Sequence, residues 1–147
     1  LNPKLFREIH DKVSIPIATG ERVYTRWGYR PFFEDHSINI IQPDLCNVGG
    51  ITEGKKICDY AHVYDIGVQV HCCGGSVSAS AALQLEAVIP NFVIHELHAS
   101  ALIEDNIRLC KNDYVAKGGY FEVPEEPGIG QELTDYALSN ADVVTVK

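Results

Sequence analysis

The segments INIIQPD at residues 38–44 and GVQVH at residues 67–71 decide the fold class. Each is a short run of mainly β-branched residues that ends on an ionisable side chain, Asp44 in one and His71 in the other. Such runs, bounded by Pro, Gly or a charge, are typical of strands. Apolar side chains recur at helical spacing over residues 52–65 between them. A strand, helix and strand in this order predict two parallel strands joined by a right-handed crossover.

The same unit recurs on both sides of this pair. Further strands are predicted at residues 15–19, just before Glu21, and at residues 92–95, just before Glu96. Further helices are predicted at residues 29–35 and 76–88. The alternation predicts an α/β fold with a parallel sheet. It is compatible with part of a (β/α)8 barrel and with a doubly wound sheet, and periodicity alone does not distinguish the two.

The composition excludes several classes of protein. The chain has 147 residues, enough for one domain, and 46% of them are hydrophobic, which excludes a disordered chain. A formal net charge of −8 does not fit a nucleic-acid binder, because contact with phosphates needs clustered Lys and Arg. No apolar run approaches the roughly 20 residues of a membrane helix, so no membrane partner is expected.

The cysteines indicate the compartment. The chain has five, an odd number, and Cys72 and Cys73 are adjacent. This pattern disfavours a disulfide framework and favours reduced thiols in a cytoplasmic protein.

The sequence also lacks Met and opens with helical spacing. We therefore expect a piece of a longer protein, with a processed N terminus as the alternative.

Four ionisable residues follow the predicted strands. Because side chains alternate along a strand, the four residues that follow the predicted strands can all lie on one face of the sheet. Catalytic groups of α/β proteins lie at the carboxyl ends of parallel strands. Polar side chains also collect there without a catalytic role, but this combination favours a site. The four residues are Glu21, Asp44, His71 and Glu96.

Asp44 and His71 are the most informative pair. Adjacent parallel strands lie about 4.8 Å apart, so their terminal side chains can share a hydrogen bond. An Asp that holds one imidazole nitrogen fixes the tautomer and makes the other nitrogen more basic. His71 is therefore a candidate general base, and a purely structural Asp–His pair is the alternative.

Other side chains suggest weaker hypotheses. Arg26 and Trp27, after the first strand, and His98, after the last, are candidates for substrate contact. The alternatives are packing for Trp27 and a solvated or structural role for His98. His95 and His98 with Cys72 and Cys73 suggest zinc. Strand parity disfavours that site because it turns His95 toward the helical layer. A nucleophilic role for Cys72 or Cys73 is also disfavoured, since Cys is a common small buried residue.

A set of short motifs connects these residues to a known family. In order along the chain they are ATGER at 18–22, QPDL at 42–45, GGITE at 49–53, HC at 71–72 and PGIG at 127–130. Together they resemble the C-terminal half of the mandelate racemase/muconate lactonizing enzyme family of the enolase superfamily. Within that family, they are most similar to sugar-acid dehydratases of the galactonate dehydratase type.

The resemblance implies a fold and a domain organisation. It implies the C-terminal half of a modified TIM barrel of the (β/α)7β type over residues 1–98. Residues 99–147 would form an extension that packs toward a capping domain missing from this chain. The N-terminal half of the barrel would also be missing, and a homo-oligomer is expected.

The resemblance also implies roles. Glu21 matches the last of three acidic ligands to Mg²⁺, Asp44 and His71 match a dyad that removes the proton alpha to a carboxylate, and Glu96 matches an acid that hydrogen-bonds the enediolate. The expected activity is Mg²⁺-dependent dehydration of a sugar acid, by a hydro-lyase. A racemase or cycloisomerase of the same family, and a non-catalytic half-barrel that acts by association, are the alternatives. With two metal ligands missing, the chain alone is expected to be inactive.

Overall fold

A computed structural model describes residues 1–146, in which helices and strands alternate along the first two thirds of the chain. The elements are α1 (Pro3–His10), β1 (Ala18–Thr19), α2 (Thr25–Glu34), β2 (Ile40–Ile41), α3 (Gly50–His62), β3 (Gly67–Val68), α4 (Ser76–Glu86), a 3₁₀ turn (Ala99–Leu102), α5 (Glu104–Ile107) and α6 (Asp135–Ser139). The α/β fold predicted from the sequence is confirmed. Within this described part, no helix is long and apolar enough to cross a bilayer.

The three strands form one parallel sheet in the order β1-β2-β3. Ile40 of β2 lies opposite Ala18 on one side and Gly67 on the other. The ladders are shorter than the sequence predicts. The predicted strand at residues 92–95 is reduced to one parallel bridge between Val68 and Phe92, with the Val93 amide donating to the Val68 carbonyl at 2.8 Å.

The core lies between the sheet and the helices. The fully buried side chains that form it are Tyr29, Phe33, Ile41, Ile57, Val68, Val70 and Leu85. Residues of opposite parity on the strands, such as Ile40, Gln42 and Gln69, are only half-buried. The sheet therefore has one face packed against helices and one more open face. Glu21, Asp44 and His71 have the parity of the open face.

Two helices differ in extent from the prediction. Helix α2 begins at Thr25, four residues before the predicted start at residue 29. The prediction missed the first turn because that turn has few apolar residues at helical spacing. Helix α3 runs over Gly50–His62 rather than over residues 52–65. It ends early because Asp65 adopts a left-handed conformation with φ of 57° and the Ile66 amide turns back to the Ala61 carbonyl at 3.1 Å.

The chain after residue 98 consists of short helices and turns. Its segments are joined by an antiparallel bridge between Cys110 and Leu133. It also packs back on the sheet and helices, because Gln84 of α4 donates to the Pro124 carbonyl at 2.7 Å. The division at residue 98 and the packing of the extension toward a capping domain remain predictions.

Gly20 joins β1 to the candidate site. Its φ of 147° is rarely adopted by residues with a side chain, and the Tyr29 hydroxyl donates to its carbonyl at 2.8 Å. A Cβ at this position would lie 2.6 Å from the Tyr29 hydroxyl oxygen and 2.8 Å from the Gln42 amide nitrogen. The close approach of α2 and β2 to the end of β1 therefore requires Gly, and it fixes where the chain turns into Glu21.

Replacing Gly20 with Ala is expected to lower the free energy of unfolding by about 2–4 kcal/mol, through backbone strain and overpacking. Denaturation in guanidinium measures this. Gly118→Ala is the matched control, since its φ is 60° and a Cβ there meets nothing within 4 Å. The control should lose only about 1–2 kcal/mol, the cost of a left-handed residue. Equal losses in both variants would contradict the packing argument at Gly20.

Candidate active site

Asp44 and His71 are hydrogen-bonded at the carboxyl ends of β2 and β3. The distance from Asp44 Oδ2 to His71 Nδ1 is 2.8 Å, and Asp44 Oδ1 accepts from the Cys46 amide at 2.7 Å. Both carboxylate oxygens are therefore engaged, which fixes the orientation of Asp44. An imidazole whose Nδ1 faces a carboxylate keeps a proton there, so that Nε2 is the nitrogen that can act as a base once it has no other partner.

Glu21 faces the other side of the same imidazole. Its Oε2 lies 2.9 Å from His71 Nε2, and its Oε1 accepts from Arg22 Nε at 3.1 Å. The Glu21 side chain is 48% exposed, whereas that of His71 is 17% exposed. Asn47, which the sequence analysis did not single out, donates from Nδ2 to the Glu21 carbonyl at 3.2 Å. His71 thus lies in a row between two carboxylates, one buried and one open to solvent.

The Glu96 side chain contacts the backbone at the same edge of the sheet. Its Oε2 accepts a hydrogen bond from the Cys72 amide at 3.3 Å, directly after His71. The structure therefore brings Glu21, Asp44 and His71 into one contiguous row and ties Glu96 to the adjoining backbone. The catalytic roles assigned to the four residues remain predictions.

Arg26 and Trp27 contact a different part of the molecule. The Arg26 backbone amide and Nε both donate to Glu53 Oε1, at 2.9 and 3.0 Å, and these contacts hold the pKa of Glu53 below its ordinary value. The guanidinium lies 5.0 Å from the centre of the Trp27 ring. Both side chains line a cavity of about 450 Å³ between α2 and α3, together with Tyr60. Neither has a described contact with the His71 row, so substrate contact remains a prediction for both.

His98 is exposed and serves a local role. It precedes the 3₁₀ turn, and its Nδ1 accepts from the Ser100 amide at 3.2 Å and lies 2.8 Å from the Ser100 hydroxyl oxygen. This contact caps the 3₁₀ turn and engages Nδ1 of His98. Contact between His98 and a substrate remains a prediction.

His95 faces the helical layer, as its strand parity indicates. Its Nδ1 lies 2.7 Å from Glu86 Oε2 at the end of α4, and both side chains are buried. Within residues 1–146, no group of three or more His, Cys, Asp or Glu side chains is arranged to hold a metal ion, so the zinc hypothesis gains no support. Glu86 was not predicted from the sequence. Its position seven residues after Ala79, on the apolar face of a helix made of small residues, indicates that its side chain is buried.

Comparison with known proteins identifies the family. Residues 2–137 match the family described as "Enolase C-terminal domain-like". The chain belongs to this family. The resemblance to the enolase superfamily inferred from the five motifs is confirmed. The match also decides between the two α/β architectures, in favour of part of a barrel.

Relatives of this enolase C-terminal domain-like chain include two named dehydratases. It is 38% identical over 127 residues to a D-xylonate dehydratase from Haloferax volcanii, covering 85% of this chain and 30% of the relative. It is 34% identical over 138 residues to a D-galactonate dehydratase from Cronobacter sakazakii, covering 90% and 35%. The chain thus spans about a third of the length of these curated relatives.

A solved structure with the same domain agrees closely with the fold. A member of the enolase superfamily from Salmonella Typhimurium superposes with a TM-score of 0.96 at 58% identity. The superposition covers 100% of this chain and 38% of that one. The C-terminal barrel-half architecture predicted from the sequence is therefore confirmed.

The oxygen donors of the open edge fit only part of an Mg²⁺ site. Mg²⁺ prefers six oxygen ligands in octahedral geometry. Glu21 presents a half-exposed carboxylate and fits as one ligand. Asp44 fits less well, because its side chain is only 12% exposed and is held by His71 and the Cys46 amide. A complete magnesium site would therefore need carboxylates from outside residues 1–146.

Cys72 lies beside the candidate base but is a poor nucleophile. Burial raises its pKa to about 11, and burial raises the pKa of Cys58 to about 12. The thiolate is the reactive form of cysteine. This supports a packing role for Cys72, as the sequence analysis favoured.

Iodoacetamide at pH 8 is expected to alkylate Cys46 and Cys73, which are exposed, well before Cys72 and Cys58. With a pKa near 11, roughly one Cys72 side chain in a thousand is a thiolate at this pH. Peptide mass spectrometry over a time course measures the order of modification. Alkylation of Cys72 at the rate of Cys73 would contradict its assignment as a buried, protonated thiol.

Proposed function

We propose that this chain is the C-terminal part of a sugar-acid dehydratase, a hydro-lyase that acts on the carbon alpha to a carboxylate. The observation that carries the proposal is the row formed by Asp44, His71 and Glu21 at the carboxyl edge of the sheet. The D-xylonate and D-galactonate dehydratases among the relatives support the choice of substrate class. The identity of the sugar acid is left to experiment.

The first step is removal of the alpha proton. His71 Nε2 accepts the proton, and Asp44, 2.8 Å from Nδ1, stabilises the imidazolium that forms. The C–H bond pair moves toward the substrate carboxylate and gives an enediolate. Glu21 must leave Nε2 before the substrate approaches, and its half-exposed side chain has room to turn.

The second step is loss of the β-hydroxyl. The electron pair of the enediolate forms a carbon–carbon double bond while the C–O bond breaks, and the hydroxide leaves as water with a proton from an acid outside this chain. Glu96 would donate a hydrogen bond to the enediolate from its carboxylic acid form before this step, since a carboxylate has no proton to donate. The enol product then tautomerises to a 2-keto-3-deoxy acid.

An enediolate carries two negative charges, and the candidate site is itself acidic. We propose that Mg²⁺ is the cofactor and that Glu21 is one of its ligands. When bound, the cation would supply the positive charge that stabilises the enediolate. The same charge would let a chain with a net charge of −8 bind an anionic substrate.

The remaining parts of the proposal concern the whole protein. The other metal ligands, the N-terminal half of the barrel and the capping domain would come from the two thirds of the relatives' length that this chain does not cover. We further propose a cytoplasmic homo-oligomer. The chain by itself would then be inactive.

His71→Asn in the full-length protein is expected to lower kcat for dehydration by roughly 10²–10⁴-fold, the usual contribution of a general base. The measurements are formation of 2-keto acid and exchange of the alpha proton in D₂O, over a panel of sugar acids. His62→Asn, at the exposed end of α3, is the control and should retain wild-type rates.

The same panel separates the alternatives. Exchange of the alpha proton without keto-acid formation would indicate a racemase or cycloisomerase. Wild-type protein that neither exchanges nor eliminates with any acid would favour the non-catalytic half-barrel. Full exchange activity in His71→Asn would contradict the assignment of the base.

Removal of metal is expected to abolish dehydration. Dialysis of the full-length protein against EDTA should reduce kcat to background, and added Mg²⁺ should restore it. Without the cation, no positive charge would offset the two negative charges of the enediolate. Metal content is measured by mass spectrometry alongside activity. Activity that persists in metal-free protein would contradict the magnesium assignment, and retained zinc would instead support the zinc hypothesis.

A further inference from the structure

A buried pair of a glutamate and a histidine lies behind the candidate active site, on the helical side of the sheet. Glu86 ends α4, and its Oε2 is 2.7 Å from His95 Nδ1. The two side chains are only 5% and 6% exposed. The Phe121 ring covers His95, with a centroid distance of 4.6 Å and an edge-to-face angle of 63°. The mechanism described above uses neither residue.

Burying these two polar side chains costs free energy of folding. Burial raises the pKa of Glu86, against the opposing effects of His95 and of the Val70 backbone. Glu86 Oε1 is also buried and lacks a hydrogen-bond partner among the described residues. Two apolar residues of similar volume would usually stabilise such a position as well or better. Its cost therefore points to a role other than stability.

The position of the pair suggests what that role is. His95 immediately precedes Glu96, and Val70, which acts on the Glu86 carboxylate, immediately precedes His71. Beyond Val93, residues 94–97 make no backbone–backbone hydrogen bond in the part of the chain that the structure describes. The end of the last strand is thus held by side chains rather than by a ladder.

We propose that Glu86 and His95 are a positioning pair that fixes Glu96 relative to His71. Because His95 and Glu96 are adjacent and contact opposite sides of the sheet, anchoring His95 to Glu86 on the helical side restricts the direction of Glu96 on the open side. The Cys72 amide, which donates to Glu96 Oε2 at 3.3 Å, reports the same geometry from the neighbouring strand. This inference rests on the proposed function, since it assigns the pair to the alpha-proton chemistry.

The test compares single and double variants of the full-length protein. Glu86→Gln keeps the shape of the side chain and removes its charge. The double variant Glu86→Leu/His95→Phe replaces the pair with apolar groups and leaves no buried charge unpaired. Gln84→Leu is the control, because Gln84 also joins α4 to the 121–124 segment but does not contact His95. Each variant is measured for Tm, kcat, KM and hydrogen exchange at the Cys72 amide.

The positioning role predicts that both variants lose kcat by roughly ten- to a hundredfold, as expected when supporting contacts of a site are removed, with KM changed less than about twofold. The double variant should keep a wild-type Tm while its Cys72 amide exchanges faster. The control should retain kcat and amide protection. Any folded variant of the pair with wild-type kcat and wild-type protection would overturn the proposal.

Hydrogen exchange keeps this inference distinct from the proposed function. If the wild-type protein dehydrates no sugar acid, the proposed function fails, but the Cys72 amide still reports whether the pair fixes Glu96. Unchanged protection in the folded variants would then overturn the inference. If the single variant does not fold, the double variant decides, and if the double variant does not fold, Glu86→Gln decides.

Discussion

The parallel register of β2 and β3 is the constraint on which the rest of the site depends. Ile41 lies opposite Val68, and Asp44 and His71 each follow three residues later. The two side chains are therefore level and on the same face of the sheet, so that one hydrogen bond of 2.8 Å joins them. A shift of one residue in either strand would turn one of them toward the helices. The dyad is thus a direct product of strand pairing.

The sequence predicts this part of the molecule well because it depends on local patterns. Runs of β-branched residues, the turn residues that bound them and the alternation of side chains were sufficient to place Asp44, His71 and Glu96 at one edge. The length of the ladders was not predictable, because it depends on contacts between strands. The pairing of His95 with Glu86 was also missed, since a hydrogen bond between a strand and a helix leaves no periodic signal. Substrate contact for Arg26 stays a prediction, and its bond to Glu53 of α3 was not predictable from its place after a strand.

Electrostatics is the reason for proposing a cation at this site. His71 lies between Glu21 and Asp44, so two carboxylates flank one imidazole. An anionic sugar acid entering this edge would meet net negative charge. Protonated His71 could offset part of it, but the proposed base must be neutral to accept a proton. The proposed mechanism therefore takes its positive charge from a cation, and we propose Glu21, the exposed member of the row, as one of its ligands.

The support of the site differs between central and outer strands. β2 is hydrogen-bonded on both sides, so backbone ladders hold the strand that leads to Asp44. Within residues 1–146, β1 and the segment at residues 92–95 have fewer ladder partners than β2, and a helix side chain contacts a residue at the carboxyl end of each. Tyr29 of α2 binds the Gly20 carbonyl next to Glu21, and Glu86 of α4 binds His95 next to Glu96. Both contacts come from the packed face and act on a residue adjacent to one on the open face. If the positioning pair acts as proposed, the helical layer contributes more than a core, because its side chains anchor the residues next to Glu21 and Glu96.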